Sequence, residues 1–280
     1  MKPVAADLHC HTKMSDGSAS IDEVVMLAKK RGLKTIAVTD HDTFAGATRA
    51  CVYGKRQGIE VIHGAEISCI DSSRKRKAHL LCYLCQSPDR LEGIFKITRG
   101  HRQKAAALML QKVMRLYPIT PEMVSRRAQG STNIYKQHIM HALLDAGYTN
   151  EIFGDLFRKL FHPREGVAYA PVEYPEAAEV LSKIHEAGGV AVLAHPAVYN
   201  SYDLMEELVP LGLDGVEVWH PRNQPDDPER LSAFCREHDL IMTGGTDFHG
   251  FYTKSPSPLG TCTTTDDQAD LLKKRCGRYR

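Results

Sequence analysis

The sequence predicts an α/β fold of barrel type interrupted by a helical insertion, on three observations. Short apolar runs rich in β-formers alternate with amphipathic helical stretches in the first and last parts of the chain, the rhythm of parallel strands joined by crossover helices. Polar residues collect where those runs end, which is where α/β barrels place their chemistry. From about Asp89 to Phe161 the alternation stops and the chain reads as helix after helix. A strand-free block of that length divides the chain into a barrel domain, 1–98 with 166–280, and an inserted helical subdomain, 99–165. A length of 280 residues accommodates this arrangement without requiring it.

The elements follow in order. The opening stretch Asp7–Gly17, DLHCHTKMSDG, begins as a strand on which His9 and His11 share one face while Leu8 and Cys10 take the other. Ser20 and Glu23 make a capping box for a helix with Val24, Leu27 and Ala28 at helical spacing, and Gly32 ends it. The run Lys34–His41 is a strand delivering Asp40, His41 and Asp42. A helix from about Thr43 to Gln57 leads through Gly58 to a strand carrying Glu66, and KAHLLCYL places His79 on the next. The intervening Arg74–Lys77, RKRK, reads as a solvated turn.

In the insertion, a long helix runs from near Leu91 to Leu116, and Thr120 caps another with Pro121 in its first turn. QHIMHALLDAG and EIFGDLFRKLF follow as helices. Alternation resumes with a helix ending at Gly188–Gly189 and the buried-strand run VAVLAHP, which terminates in His195. A helix near Asp203–Leu213 precedes GVEVWH, where Glu217 and Trp219 share one face against Val216, Val218 and His220. Asp227–Pro228 starts a helix ending near Asp239, and IMTGGTDFHG is the last strand, ending with Asp247 and His249. Thr265 and Gln268 form a second capping box for a C-terminal helix.

Composition narrows the function. Hydrophobic residues at 42% and charged residues at 25% fit a soluble chain with a sizeable core. A formal charge of +2 speaks against coating nucleic acid. The residues 99–165 hold eleven Lys/Arg against five Asp/Glu, a net of +6, leaving about −4 elsewhere, so a basic insertion faces an acidic scaffold. The N-terminal stretch does not read as a secretory signal, and no apolar run approaches the ~18 to 20 residues a bilayer requires. A cytoplasmic location is the expectation. Cys82 and Cys85 form the one CxxC, with no second to complete a four-cysteine zinc site, and reduced, mostly buried thiols are expected of the eight cysteines.

Gathered together, the residues at strand ends are His9, His11, Asp16, Asp40, His41, Glu66, His79, His195, Asp247 and His249. So many desolvated polar groups at one end of successive strands would be costly unless something binds them. Imidazole and carboxylate suit Zn, Mn or Fe.

These motifs resemble the PHP (polymerase and histidinol phosphatase) family. DLHCHTKMSDG looks like its first motif, VTDHD its second, GAEIS with HLLCY its middle ligands, LAHP the next and TGGTDFHG its last. The likeness is greatest to the small phosphoesterases of that family, which act on AMP, nucleoside 3′,5′-bisphosphates and RNA 5′ ends. It implies a distorted seven-stranded β/α barrel with two to three divalent ions. Carried over by motif, His9, His11, Glu66 and Asp247 would hold one ion. Glu66 would bridge to a second held by His79 and His195, and Asp16, His41 and His249 would hold the third.

Three divalent ions against the carboxylates Asp16, Glu66 and Asp247 leave about +3, so the site wants an anion, such as a phosphate ester attacked by a metal-bound hydroxide. Asp40 and Asp7 are cast as groups orienting ligand imidazoles, with a proton relay as the alternative for Asp40. Arg99 and Arg102 share a helix face, either as a phosphate clamp or as a solvated basic surface, and the resemblance favours the clamp. Where relatives often carry Gly-Arg-Pro-His, this chain has Tyr135, Lys136, Gln137 and His138, and Lys136 supplies charge without a bidentate fork. The insertion, Lys136 and His138 included, is thus a candidate substrate cap. Tyr135, Tyr169 and Trp219 are candidates to stack a base, although core filling is the simpler role for each. The expected partner is a small phosphorylated substrate, a nucleotide or a short RNA 5′ end, with no membrane and no stable protein partner implied. Histidinol phosphate hydrolysis and a catalytically idle, metal-stabilised scaffold are the competing readings. The basic insertion disfavours the first, and the full set of ligand positions disfavours the second.

Overall fold

The computed structural model describes residues 6–276. Seven strands lie in chain order in one sheet: β1 (Ala6–Cys10), β2 (Thr35–Val38), β3 (Glu60–Asp71), β4 (Arg76–Tyr83), β5 (Val190–Leu193), β6 (Gly215–Trp219) and β7 (Ile241–Gly244). The segment after β7 lies back on β1, where Phe248 pairs with Cys10 in a parallel bridge and His11 N donates to Phe248 O at 2.8 Å. The sheet is therefore a nearly closed seven-stranded barrel surrounded by helices.

The expectation of parallel strands throughout fails at one place. β4 runs antiparallel to both β3 and β5, while the other neighbours are parallel. Only residues 72–75 separate β3 from β4, far too few for a crossover helix, so the pair closes as a hairpin. Of the basic run, Arg74 and Lys75 belong to the turn and Arg76 and Lys77 to β4.

The helices between β1 and β3 are α1 (Ile21–Arg31) and α2 (Ala47–Gln57). The Ser20–Glu23 box closes reciprocally, and Gly32 ends α1 at φ 75. The second helix begins later than Thr43, at Ala47, because Gly46 just before it has φ 84, a left-handed conformation that does not propagate a helix. The helical block comprises α3 (Asp89–Met114), α4 (Pro121–Arg127), α5 (Lys136–Asp145) and α6 (Asp155–Phe161). The remaining helices are α7 (Ala177–Glu186), α8 (Pro196–Tyr199), α9 (Tyr202–Leu208), α10 (Asp227–Glu237) and α11 (Asp266–Arg275). The expected Thr265–Gln268 box does not form. Gln268 Oε1 instead accepts from Met242 N on β7 at 2.9 Å, tying α11 to the barrel.

Two cores share one helix. Leu91, Ile94 and Phe95 of α3 pack with α7 and the outer barrel face, whereas Ala105, Met109, Leu110 and Val113 pack with Ile139, Leu143 and Phe161 in a core of the helical block. α3 thus changes allegiance between Phe95 and Ala105. That core runs on through Ala168 and Ala170 and takes in Tyr252 from behind β7, so the block sits over the end of the barrel where the strand-end residues gather. Among the described residues none of the eight cysteines is disulfide-bonded, five are buried, and no helix is long and apolar enough to cross a membrane.

Candidate metal centre

Local sequence decides what each strand delivers to this end of the barrel. β1 carries His9 and runs into His11, and their Nε2 atoms stand 3.2 Å apart, as alternation along a strand requires. Leu8 and Cys10 turn away into different cores, because the β1–β2 ladder shifts register between Asp7 and Cys10. The loop behind brings in Asp16, whose Oδ1 lies 3.2 Å from His249 Nε2. His41, after β2, pairs through its backbone with Glu66 of β3. His195 and Asp247 adopt φ 29 and φ 49, left-handed conformations that non-glycine residues hold only where surrounding structure imposes them. Gly245 permits the closure, since a Cβ there would stand 2.4 Å from His9 Cβ and 2.5 Å from His9 N.

Glu66 is the hub. Its Oε1 lies 2.6 Å from His79 Nδ1 and 2.8 Å from His195 Nε2. Its Oε2 lies 3.1 Å from His11 Nε2, 3.2 Å from His41 Nδ1 and 3.4 Å from His9 Nε2. Asp247 Oδ1 is 3.3 Å from His11 Nε2, 3.5 Å from His9 Nε2 and 3.4 Å from His249 Nδ1. All nine residues expected as ligands therefore face one space.

The geometry suits metal ions. His9 Nδ1 lies 2.9 Å from Glu217 Oε1, so the proton of a neutral His9 belongs on Nδ1 and the Nε2 lone pair faces His11 Nε2. Two lone pairs so placed repel unless a cation or a proton stands between them. His41 Nδ1, although close to Glu66, makes no hydrogen bond, and buried His195 Nδ1 also lacks a partner. Four groups have donor atoms within 4.8 Å of one another: His11, Asp16, His41 and His249; His9, His11, Glu66 and Asp247; His9, His195 and Glu217; His41, Glu66 and His79. Two of these contain the first and third expected sets, with His11 joining the third. The second expected set is spread, because His79 stands with His41 while His195 stands with His9 and Glu217, and the two meet on Glu66 Oε1.

Without an ion, these carboxylates hold protons on His9 and His11. Burial opposes a charged His11, but hydrogen bonds to Asp247 and Glu66 outweigh it and push its pKa up to about 10. Burial opposes a charged His9 as well, and Glu217, Glu66 and Asp247 hold it well above its usual value. A divalent ion arriving at Nε2 must displace those protons. Metal uptake at pH 8 is therefore expected to release protons, and affinity should climb with pH up to about 10, beyond which His11 no longer competes. Calorimetry in buffers of unlike ionisation enthalpy measures the release, and a buffer-independent enthalpy would contradict it.

Asp40 and Asp7 do not bond imidazoles as expected. Asp40 accepts from Thr12 N at 2.8 Å, Thr12 Oγ1 at 2.6 Å and Ser15 Oγ at 2.6 Å, which pins the Asp16 loop to β2. It approaches an imidazole only through Ser15, whose Oγ is 3.4 Å from His11 Nδ1. Asp7 accepts from Thr246 N and Oγ1 and from Gly260 N, fastening β1 to the segment after β7. The carboxylate that does orient imidazole is Glu217, which also accepts from His195 N at 2.8 Å. A wholly buried acid between Val216 and Val218 is the signal sequence reasoning passed over. His220, just after β6, fits the same strand-end rule. Its Nδ1 accepts from Arg222 N and its Nε2 faces Asp247 Oδ2 at 3.3 Å.

A cavity of ≈ 450 Å³ opens over the centre, walled by Tyr199, His220, Arg222, Lys254, Gln137 and Tyr252 among others. Gln137 Nε2 donates to Asp16 Oδ2 at 3.0 Å. Arg99, Arg102, Lys136 and His138 do not line it. Arg102 Nη2 donates to Asp42 Oδ2 at 2.7 Å and Ser68 Oγ at 2.9 Å, its Nε is buried without a hydrogen-bond partner, and the guanidinium lies 4.8 Å over the Tyr135 ring. Arg99 bonds Asp42 O and Glu92. Lys136 Nζ lies 4.9 Å over Tyr169, and burial, with Lys77 and Arg102 nearby, pushes its pKa down to about 8. His138 Nδ1 accepts from Tyr135 N at the start of α5, and burial pushes its pKa down to about 4. Trp219 packs against the outer barrel core.

A family model described as PHP domain matches residues 7–191. Over 252 residues the chain is 35% identical to a phosphoribosyl 1,2-cyclic phosphate 1,2-diphosphodiesterase of Eggerthella lenta, covering 89% of this chain and 96% of that one. It is 30% identical over 253 residues to the 5′-3′ exoribonuclease Rnm of Escherichia coli, covering 88% and 85%. Among solved structures, a protein of Bifidobacterium adolescentis described as a metal-dependent phosphoesterase superposes with a TM-score of 0.88 at 32% identity over 98% of each chain.

Proposed function

Because the chain belongs to the PHP family, and is with it a metal-dependent phosphoesterase, we propose that it hydrolyses a phosphate ester of a nucleotide, a related phosphorylated ribose or an RNA 5′ terminus at a centre of up to three divalent ions. The single observation carrying this is Glu66, one buried carboxylate met by five imidazoles, three on one oxygen and two on the other. No simple hydrogen-bond network needs that arrangement, and bridging cations do.

His9, His11, Glu66 and Asp247 would hold a first ion, Glu66, His79 and His195 a second, and Asp16, His41 and His249 a third. Divalent ions held there would supply charge to neutralise phosphoryl oxygens and to lower the pKa of a bound water towards ~7. The protein's own contribution is placement. Glu217 fixes the tautomer of His9, Asp40 holds the Asp16 loop, Gln137 from the start of α5 steadies Asp16, and the helical block roofs the cavity as a substrate cap. Three carboxylates do not balance three divalent ions, so the bowl attracts an anion. The two relatives act, by their names, on a phosphorylated ribose and on RNA, both of which present ribose-linked phosphate.

The test is metal analysis of the purified protein followed by phosphate release with Mn, Zn or Fe supplied. The substrates are AMP, a nucleoside 3′,5′-bisphosphate, phosphoribosyl 1,2-cyclic phosphate, a short 5′-phosphorylated RNA and histidinol phosphate. Release is expected from at least one ribose-linked phosphate. Release from histidinol phosphate alone, or from nothing, would refute the proposal.

A further inference from the structure

The chain makes one short turn of helix over the metal centre as it leaves β5. Pro196 starts α8, and left-handed residues bound it on both sides, His195 at φ 29 and Asn200 at φ 52. Arg76 Nη1 on β4 donates to Asn200 O at 2.9 Å and fixes the far end. Tyr199 lies about one turn beyond His195, and its ring meets the His195 ring edge-on with centroids 5.5 Å apart. It meets His79 in the same way at 5.2 Å. The ring is thus held against the two imidazoles that meet on Glu66 Oε1.

The hydroxyl on that ring has no task within the protein. Other hydroxyls of the cavity wall are taken, Thr246 Oγ1 by Asp7, Tyr252 Oη by His141, and Thr253 Oγ1 and Ser257 Oγ by the Ser255 carbonyl. Among the described residues the half-buried Tyr199 bonds no protein group through its Oη, and that atom is not sealed from the cavity. The charged side chains that act on it are Glu66, Arg222 and Asp247, which sets it between the metal centre and the cavity rim.

Resting on the phosphoesterase reading above, we propose that Tyr199 is a further catalytic residue, its hydroxyl donating a hydrogen bond to the ester oxygen that departs from phosphorus. In the hydrolysis a water oxygen bonds to phosphorus as the bond to the ribose oxygen breaks and leaves its electron pair there. The proton given up by the water reaches the departing oxygen through solvent. The other phosphoryl oxygens are charged from the start and face cations, whereas a ribose oxygen gains charge only as its bond breaks. A fixed neutral donor is suited to charge that develops late. A phenol keeps its proton at neutral pH, so Tyr199 donates without ionising.

Tyr199→Phe keeps the ring and removes the donor. In the metal-loaded protein, single-turnover hydrolysis of AMP is expected to slow by about 100-fold, the scale of one donor lost from a developing charge. Hydrolysis of 4-nitrophenyl phosphate, whose departing oxygen is weakly basic and needs little help, should stay within about threefold of wild type. Metal content and calorimetric affinity for inorganic phosphate should not change. Tyr252→Phe, which loses a hydroxyl already shared with His141, should keep the wild-type ratio of the two rates. Equal slowing on both esters, loss of metal from Tyr199→Phe, or an unchanged rate on AMP would overturn the proposal; the first two would leave the ring only the task of holding His79 and His195. If AMP is not turned over, the ribose-linked ester hydrolysed fastest among those named above takes its place. A wild type that hydrolyses none of them fails the phosphoesterase reading and Tyr199 with it, whereas an active wild type with equal slowing fails Tyr199 alone.

Discussion

Glu66→Gln is expected to leave a folded protein that no longer holds its metals and releases phosphate more than about 100-fold more slowly. Residues that merely support a metal ligand already cost about 10- to 100-fold when changed. Glutamine has the same shape, so packing within β3 should survive, but one of its two terminal atoms is an N–H₂ that cannot face a cation. Glu66 presents both oxygens to imidazoles that would share ions with it, and the change therefore disables two sets of donors together. Metal content of the purified variant, its far-ultraviolet circular dichroism and its phosphate release measure the three parts. Full metal content with activity within tenfold of wild type would show that the hub has been misplaced.

Glu217→Gln should produce the second-largest loss, about 10- to 100-fold in metal affinity, with a matching fall in activity at limiting metal that excess metal restores. Glu217 lies wholly buried, with one oxygen on His9 Nδ1 and the other on His195 N. A glutamine can satisfy only one of those donors, and its N–H₂ would press against the other. Chelator competition at fixed pH gives the affinity. Loss of activity that excess metal does not restore would place Glu217 in the chemistry, and unchanged affinity would remove it from the support of His9.

Much of this centre was legible in the sequence because strand alternation is a local rule. His9 with His11 and Asp247 with His249 follow from two-residue spacing, and Glu66 from the end of an apolar run. What the sequence hid was everything fixed by distant partners. Asp40 reads as an imidazole-orienting acid because it precedes His41, yet its oxygens are claimed by Thr12 and Ser15 from another strand's loop. Gln268 reads as half of a capping box, yet it finds a better donor on β7. Arg102 reads as a clamp, and Asp42 and Ser68 both take its Nη2. In each case residue type and spacing were read correctly, and the competing hydrogen bond came from an element far along the chain. Glu217 shows the reverse: a long-range role announced by a local anomaly, a carboxylate inside an apolar strand.

The reversed strand β4 has a consequence for how this barrel can change. Its ladder sets Ser68 opposite His79, so the imidazole reaches Glu66 through hairpin register and not through a loop. Because side chains alternate, sliding β4 by one residue would put Ala78 or Leu80 where His79 now stands. Length changes near this histidine therefore obey parity. The turn 72–75 can absorb any number of residues, whereas an odd shift of the ladder through His79 turns its imidazole away from the metals. Glu66 lies mid-strand in the same ladder, opposite Leu81, whereas most other ligands sit at or beyond strand ends, where a lengthened loop costs little. His79 and Glu66 are locked to counting in twos.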